Sequence, residues 1–111
     1  MFVEIKPLSS LNQLSVRADA DSQMRRRFAE FYDTTPSRFT GISAFGHIVC
    51  KYELNKGDDR IIPTPIPGSD ERVVDVAPRM RWDLDLTTSP GATRILDIFQ
   101  QVKDVMLKEG V

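Results

Sequence analysis

The chain has 111 residues, 41% of them hydrophobic and 28% charged, with a formal net charge of −1. One domain is the expectation at that size, and the charge balance excludes a protein that holds nucleic acid by diffuse positive charge alone. The single cysteine, Cys50, excludes an intrachain disulfide and a cysteine-based zinc site.

Residues 2–17 contain two short alternating runs, "FVEIK" and "QLSVR", around the turn-prone "PLSSLN". This predicts an N-terminal hairpin, with a competing reading in which Ser10 caps a short helix, because Ser10 and Gln13 have capping-box spacing. The stretch over 20–33 supports two readings. Met24, Phe28 and Phe31 fit a helical stripe, whereas Phe28 to Tyr32 also reads as a strand with aromatics on both faces.

From Ile42 to Leu54 the even positions are Ile42, Ala44, Gly46, Ile48, Cys50, Tyr52 and Leu54, while the odd ones include His47, Lys51 and Glu53. That period of two predicts strand with one buried and one wetter face, bent or bulged at Gly46. The segment "RIIPTPIPGSDE", Arg60 to Glu71, follows. Its three prolines rule out helix interior and central strand. Its isoleucines make it too apolar for an ordinary surface loop.

"RMRWDLDLTT" alternates most cleanly, with Met80, Trp82, Leu84 and Leu86 on one side and Arg79, Arg81, Asp83, Asp85 and Thr87 on the other. It predicts a strand. "SPGATRILDIFQQVKDVMLKEG" predicts a helix, with Ser89 as cap, Pro90 in the first turn and Gly110 as stop. Its stripe is Ile95, Ile98, Phe99, Val102, Val105 and Met106; Leu96 and Leu107 form a second apolar side that predicts packing on another copy.

The expected architecture is α+β, mostly β: an N-terminal hairpin, then an antiparallel sheet of about five strands with the C-terminal helix on one face. The other sheet face is expected to stay open and polar.

This order of parts resembles the coat proteins of single-stranded RNA bacteriophages (leviviruses). The match covers mainly residues 48–109, where "CKYELNK" is similar to the penultimate strand, "RWDLDLTT" to the last strand and "ATRILDIFQQVKDVMLKEG" to the first C-terminal helix. The resemblance implies that "MRRRFAEFYDTT" is a strand. It also implies a homodimer with paired sheets, assembled into an icosahedral shell, so that the chain belongs to the virion and is made in the bacterial host cytoplasm. Single-stranded RNA hairpins would bind on the inner sheet face, at His47, Lys51, Glu53, Arg79, Arg81, Asp83, Asp85 and Thr87. The loop bearing Ile61, Ile62, Pro63, Pro65, Ile66 and Pro67 would meet neighbouring subunits, and Ile95, Leu96, Phe99, Val102 and Met106 would form the dimer helix. A small single-strand-binding regulator with an OB-like barrel is the alternative.

No enzyme activity, cofactor, metal or membrane partner is expected. Asp83 and Asp85, with Asp58, Asp59 and His47, sketch a metal-dependent nuclease, but a charge-alternating wet face accounts for the two aspartates better. No apolar run approaches the ~18 residues needed to span a bilayer, and the N-terminus lacks the pattern of a signal peptide, so an intracellular, reducing setting is expected. Arg25-Arg26-Arg27 with Phe28, Phe31 and Tyr32 is a second possible RNA surface, balanced against a charged helix face beside core aromatics.

Overall fold

The structure, a computed structural model, describes residues 1–109; the helix stop expected at Gly110 lies outside the described residues. Strand β1 (Phe2–Lys6) leads through a 3-10 turn into helix α1 (Leu14–Glu30). Strands β2 (Arg38–Phe45), β3 (Ile48–Asn55) and β4 (Arg60–Ile62) follow, then a long loop, the short β5 (Leu84–Asp85) and helix α2 (Ser89–Glu109). The fold is α+β around one five-stranded mixed sheet in the order β1-β2-β3-β4, with β5 also pairing to β3.

The N-terminal hairpin is not formed. β1 pairs parallel to β2, and the chain between them crosses over as α1. Hence "QLSVR" opens a helix, and "MRRRFAEFYDTT", which the resemblance makes a strand, is helical through Glu30. Parallel pairing requires a crossover of about a dozen residues or more, and a helix is the usual solution. Helix α1 buries Arg17, Ala20, Asp21, Met24 and Phe28 against the sheet. The helical reading of 20–33 holds through Glu30, with Met24 and Phe28 inward and Phe31, beyond the helix, exposed. Arg17 and Asp21 are charged, so the apolar stripe does not extend over the helix's first half. With two long helices in the chain, the fold is also less β-rich than expected.

The period-two run breaks at Gly46. Phe45 pairs with Ile48, so Gly46 and His47 form a two-residue hairpin turn, and Gly46 has φ +57°. A left-handed glycine at the first turn position suits such hairpins. The turn flips side-chain parity. Ser43 lies opposite Cys50 and Gly41 opposite Tyr52, whereas Ile42 lies opposite Lys51 and Ala44 opposite Val49. Two cores result. On one face Met24, Phe28, Phe45, Cys50, Tyr52, Leu54 and Trp82 pack under α1, with Phe2 and Phe39 in tilted ring contact at the edge. Burying a side chain such as Phe28 or Phe45 contributes about 1.5–3 kcal/mol. On the other face Ile42, Ala44, Val49 and Ile98 pack under α2.

Cys50, Tyr52 and Leu54 therefore face α1 and not the C-terminal helix, and neither sheet face is left wholly open. The best-alternating segment is also mostly not strand. Pro78 initiates a 3-10 turn over Arg79–Arg81, closed by the Arg81 N–H donating to the Pro78 carbonyl (3.0 Å), and only Leu84 and Asp85 join the ladder. Proline presets φ for such a turn. Met80 swings out to 81% exposure while Trp82 is buried, its Nε1 donating to Ser43 Oγ (3.3 Å).

Helix α2 starts where expected, but its cap is Thr88, whose Oγ1 accepts from the Gly91 N–H (3.1 Å) and donates to the Asp85 carbonyl (2.7 Å).

Candidate nucleic-acid interface

The long loop between β4 and β5 has few ladder bonds, so its placement depends on side chains reaching it from elsewhere. Three arginines supply them. Arg17 donates to the carbonyls of Ala77 (2.9 Å) and Leu11 (2.8 Å) and to Asp75 (2.9 Å). Arg25 donates to the Pro63 carbonyl (2.7 Å), and Arg81 to the Thr64 carbonyl (2.7 Å). The Ile62–Pro63 peptide is cis.

Behind this loop a charged network is enclosed. Asp21 accepts from Tyr52 Oη (2.6 Å) and Arg25 Nε (3.0 Å), and Arg81 Nη1 stands 3.9 Å away. The Arg25 guanidinium lies over the Tyr52 ring, 5.5 Å from its centroid. Two guanidinium groups thus share one carboxylate, and one Nη1 of each is enclosed without a hydrogen-bond acceptor among the described residues. Burial, then the Asp21 hydrogen bond and charge, pushes the Tyr52 phenol far above its ordinary range. Burial and the nearby Asp83 push the Cys50 thiol up to about 12, so it stays a protonated, inert packing group.

In front of the network lies a cleft of about 300 Å³ lined by Cys50, Lys51, Ile62, Pro63, Arg81, Asp83, Leu84 and Arg94. β3 positions Lys51, the 3-10 turn Arg81, the lead-in to β5 Asp83 and the second turn of α2 Arg94. Lys51 is paired with Glu53 (3.1 Å) and Arg81 lies 3.9 Å from Asp21, whereas Arg94 has no ion-pair partner among the described residues. A planar guanidinium such as that of Arg94, unpaired at a cleft, suits phosphate oxygens.

Of the residues expected to face RNA, this cleft unites Lys51, Arg81 and Asp83. The rest disperse. Glu53 lies further along β3, accepting from Arg38 (2.6 Å) and paired with Lys51 (3.1 Å). Burial alone would raise its carboxyl, but the Arg38 and Lys51 hydrogen bonds outweigh it and hold the group below its usual range. His47 sits in the hairpin turn with Nδ1 2.9 Å from Asp85 Oδ1. The Thr87 hydroxyl (2.6 Å) and N–H (2.9 Å) donate to that same oxygen and, with His47, depress the Asp85 carboxyl. Arg79 turns away to Asn12 (2.9 Å). Lys51 and Glu53 lie on the face that α2 covers, where Gln101, Val102 and Val105 join them around a second hollow.

The expected inter-subunit loop is largely fastened to its own chain. Ile61 lies opposite Leu54 and packs on the first core, Ile66 is half-buried, and Ile62 is 55% exposed. Pro63 is half-buried, and Pro65 and Pro67 are exposed. In the expected dimer helix, Ile95 packs on the second core and Val102 is half-buried, while Leu96, Phe99 and Met106 are exposed.

The Arg25–Arg27 run does not form one basic surface, because successive helical residues point about 100° apart. Arg25 turns inward, Arg26 outward, and Arg27 pairs with Glu4 (3.1 Å). Arg94 and the Asp21–Arg25 pair were missed by sequence reasoning. The only signal was spacing: Asp21 and Arg25 are one turn apart, as are Arg94 and the buried Ile98.

No cluster of three or more His, Cys, Asp or Glu residues able to hold a metal occurs among the described residues. No helix among them is long and apolar enough to cross a membrane. Comparison of the chain with protein-family models, curated proteins and solved structures yields no match.

Proposed function

We propose that this chain is a non-enzymatic, self-associating structural protein that binds the phosphate backbone of single-stranded RNA. The observation that carries the reading is the cleft lined by Lys51, Arg81 and Arg94, in which Arg94 has no ion-pair partner among the described residues. In its most specific form this is the coat-protein role: homodimers building an RNA phage shell, with the RNA inside. The support for that form lies in residues 48–109, where β3, the long loop, β5 and α2 keep the order that the resemblance implies. The N-terminal third, a strand and crossover helix, departs from that pattern. The OB-like alternative has less support, because the sheet is open and not closed into a barrel.

Purified protein imaged by electron microscopy should form particles, and fluorescently labelled RNA hairpins should bind with a salt-dependent affinity. Arg94→Ala and Lys51→Ala should each weaken binding and flatten the salt slope by roughly 0.7 per lost phosphate contact, while particles still form. A salt slope identical to wild type in both variants would remove the cleft from RNA binding. A monomer that binds RNA would leave the regulator reading instead.

A further inference from the structure

The outer edge of the sheet is β1. In the parallel ladder with β2, the Lys6 carbonyl accepts from the Gly46 N–H (2.9 Å). Alternation along the strand then turns the peptide groups of Phe2, Glu4 and Lys6 toward β2, and the N–H and C=O of Val3 and Ile5 outward. An open edge of this kind is a template for another strand, which folded proteins usually block with proline, a bulge or a charge. Here Glu4 and Lys6 do place two charges on the strand, both on the α1 face, but no proline or bulge interrupts Phe2–Lys6. Val3 and Ile5 are instead 48% and 72% exposed, on the face that carries Ile42 and Ala44.

The surroundings fit a strand as well. A groove of about 550 Å³ runs along this edge, lined by Phe2, Val3, Glu4, Ile5, Arg27 and the exposed Phe31. Just before the strand, Met1 joins Phe99, Val102, Lys103, Met106 and Leu107 around an open hollow of about 340 Å³. Apolar surface therefore continues from the edge onto the uncovered side of α2.

The charges identify the occupant. Two copies of β1 running antiparallel about a two-fold axis keep each residue on its own face only in registers centred on a residue. Centred on Glu4, the two carboxylates oppose each other. Centred on Val3, Phe2 meets Glu4. Centred on Ile5, each Glu4, which also holds Arg27 of its own chain, meets the partner's Lys6, the two Ile5 side chains meet, and the outward peptide groups of Ile5 bond reciprocally. The ladder ends where Val3 meets Pro7, which has no N–H to give. Opposite charges directly across an antiparallel pair are favourable and like charges are not. β1 is thus complementary to itself.

We propose that β1 is a homodimer edge, with the β1 strands of two copies paired antiparallel about Ile5 so that their sheets become continuous. This rests on the self-association in the reading above and names its surface.

Sedimentation equilibrium across the micromolar range tests it. Lys6→Glu should raise the dimer dissociation constant roughly tenfold or more by opposing it to Glu4. The double variant Glu4→Lys/Lys6→Glu should restore dimerisation, which only the Ile5-centred register predicts. Ile5→Pro removes an outward N–H and should abolish the dimer, with circular dichroism reporting a folded chain. A wild-type dimer unaffected by Lys6→Glu and Ile5→Pro overturns edge pairing but leaves self-association to another surface. A monomeric wild type overturns both, and a monomer that takes an unrelated extended peptide along β1 assigns the groove to a foreign strand.

Discussion

Arg17 is among the most consequential single residues of the fold. It lies 6% exposed on the inner side of α1, and its guanidinium ties residues on both flanks of the chain, Leu11 and Asp75 with Ala77, to one helix. Arg17→Met keeps the aliphatic stem but strands two carbonyls and a carboxylate. Loss of about 3 kcal/mol is expected, read as a lower urea midpoint at unchanged m. Glu53 gives a pH signature. Its folded-state carboxyl titrates below its unfolded value, so its stabilisation is present above about pH 4.3 and is lost as pH falls through the lower folded value. Urea midpoints followed from pH 6 to pH 3 should therefore fall less steeply in Glu53→Gln than in wild type.

At the scale of elements, the approach of α1 to the sheet depends on Gly41. A Cβ there would collide with Met24 Sδ and come within 3.2 Å of Phe28. Both neighbours are fully buried, so neither has room to yield. Gly41→Ala should destabilise by about 1–2 kcal/mol through overpacking, and the same substitution should cost less when made in a Met24→Ala background. The elements also differ in how far the sequence revealed them. β1 and α2 were legible because their periods are unbroken, Ile95 and Ile98 falling inward as the stripe requires, although Thr88 and not Ser89 caps α2. β2 and β3 were legible as strand, but a single alternation was carried through Gly46, and parity reverses at a two-residue turn. α1 was obscured by the salt-bridged Arg17 and Asp21 on its buried side. The segment Arg79–Thr87 misled for the opposite reason: alternation is necessary for a half-buried strand, but Pro78 and the Asp85–Thr88 turn confine the ladder to two residues. Lys51, Arg81 and Asp83 were legible as a charged site. Arg94 was not, because its role arises from where α2 starts relative to β5.

At the scale of the whole molecule, the chain buries its two sheet faces unequally. Helix α1 covers a large aromatic core, whereas α2 buries only Gly91 and Ile98 and leaves Leu96, Phe99, Met106 and Leu107 exposed. A helix holding so little of its apolar surface against its own sheet has area left for another copy. Phe99→Glu with Leu107→Glu should leave the thermal midpoint of the dilute chain nearly unchanged and weaken association by at least about tenfold, measured by light scattering across a dilution series.

The arginine clasps over the long loop have an evolutionary consequence. Arg25, Arg81 and Arg17 hold that segment at the carbonyls of Pro63, Thr64 and Ala77, groups that every amino acid supplies. The loop is gripped by its backbone, so most side chains from Thr64 to Val73 are released from any duty to hold it in place. Its outer surface can be rewritten residue by residue, to meet a new neighbour or evade an old one, while the three anchors keep its path.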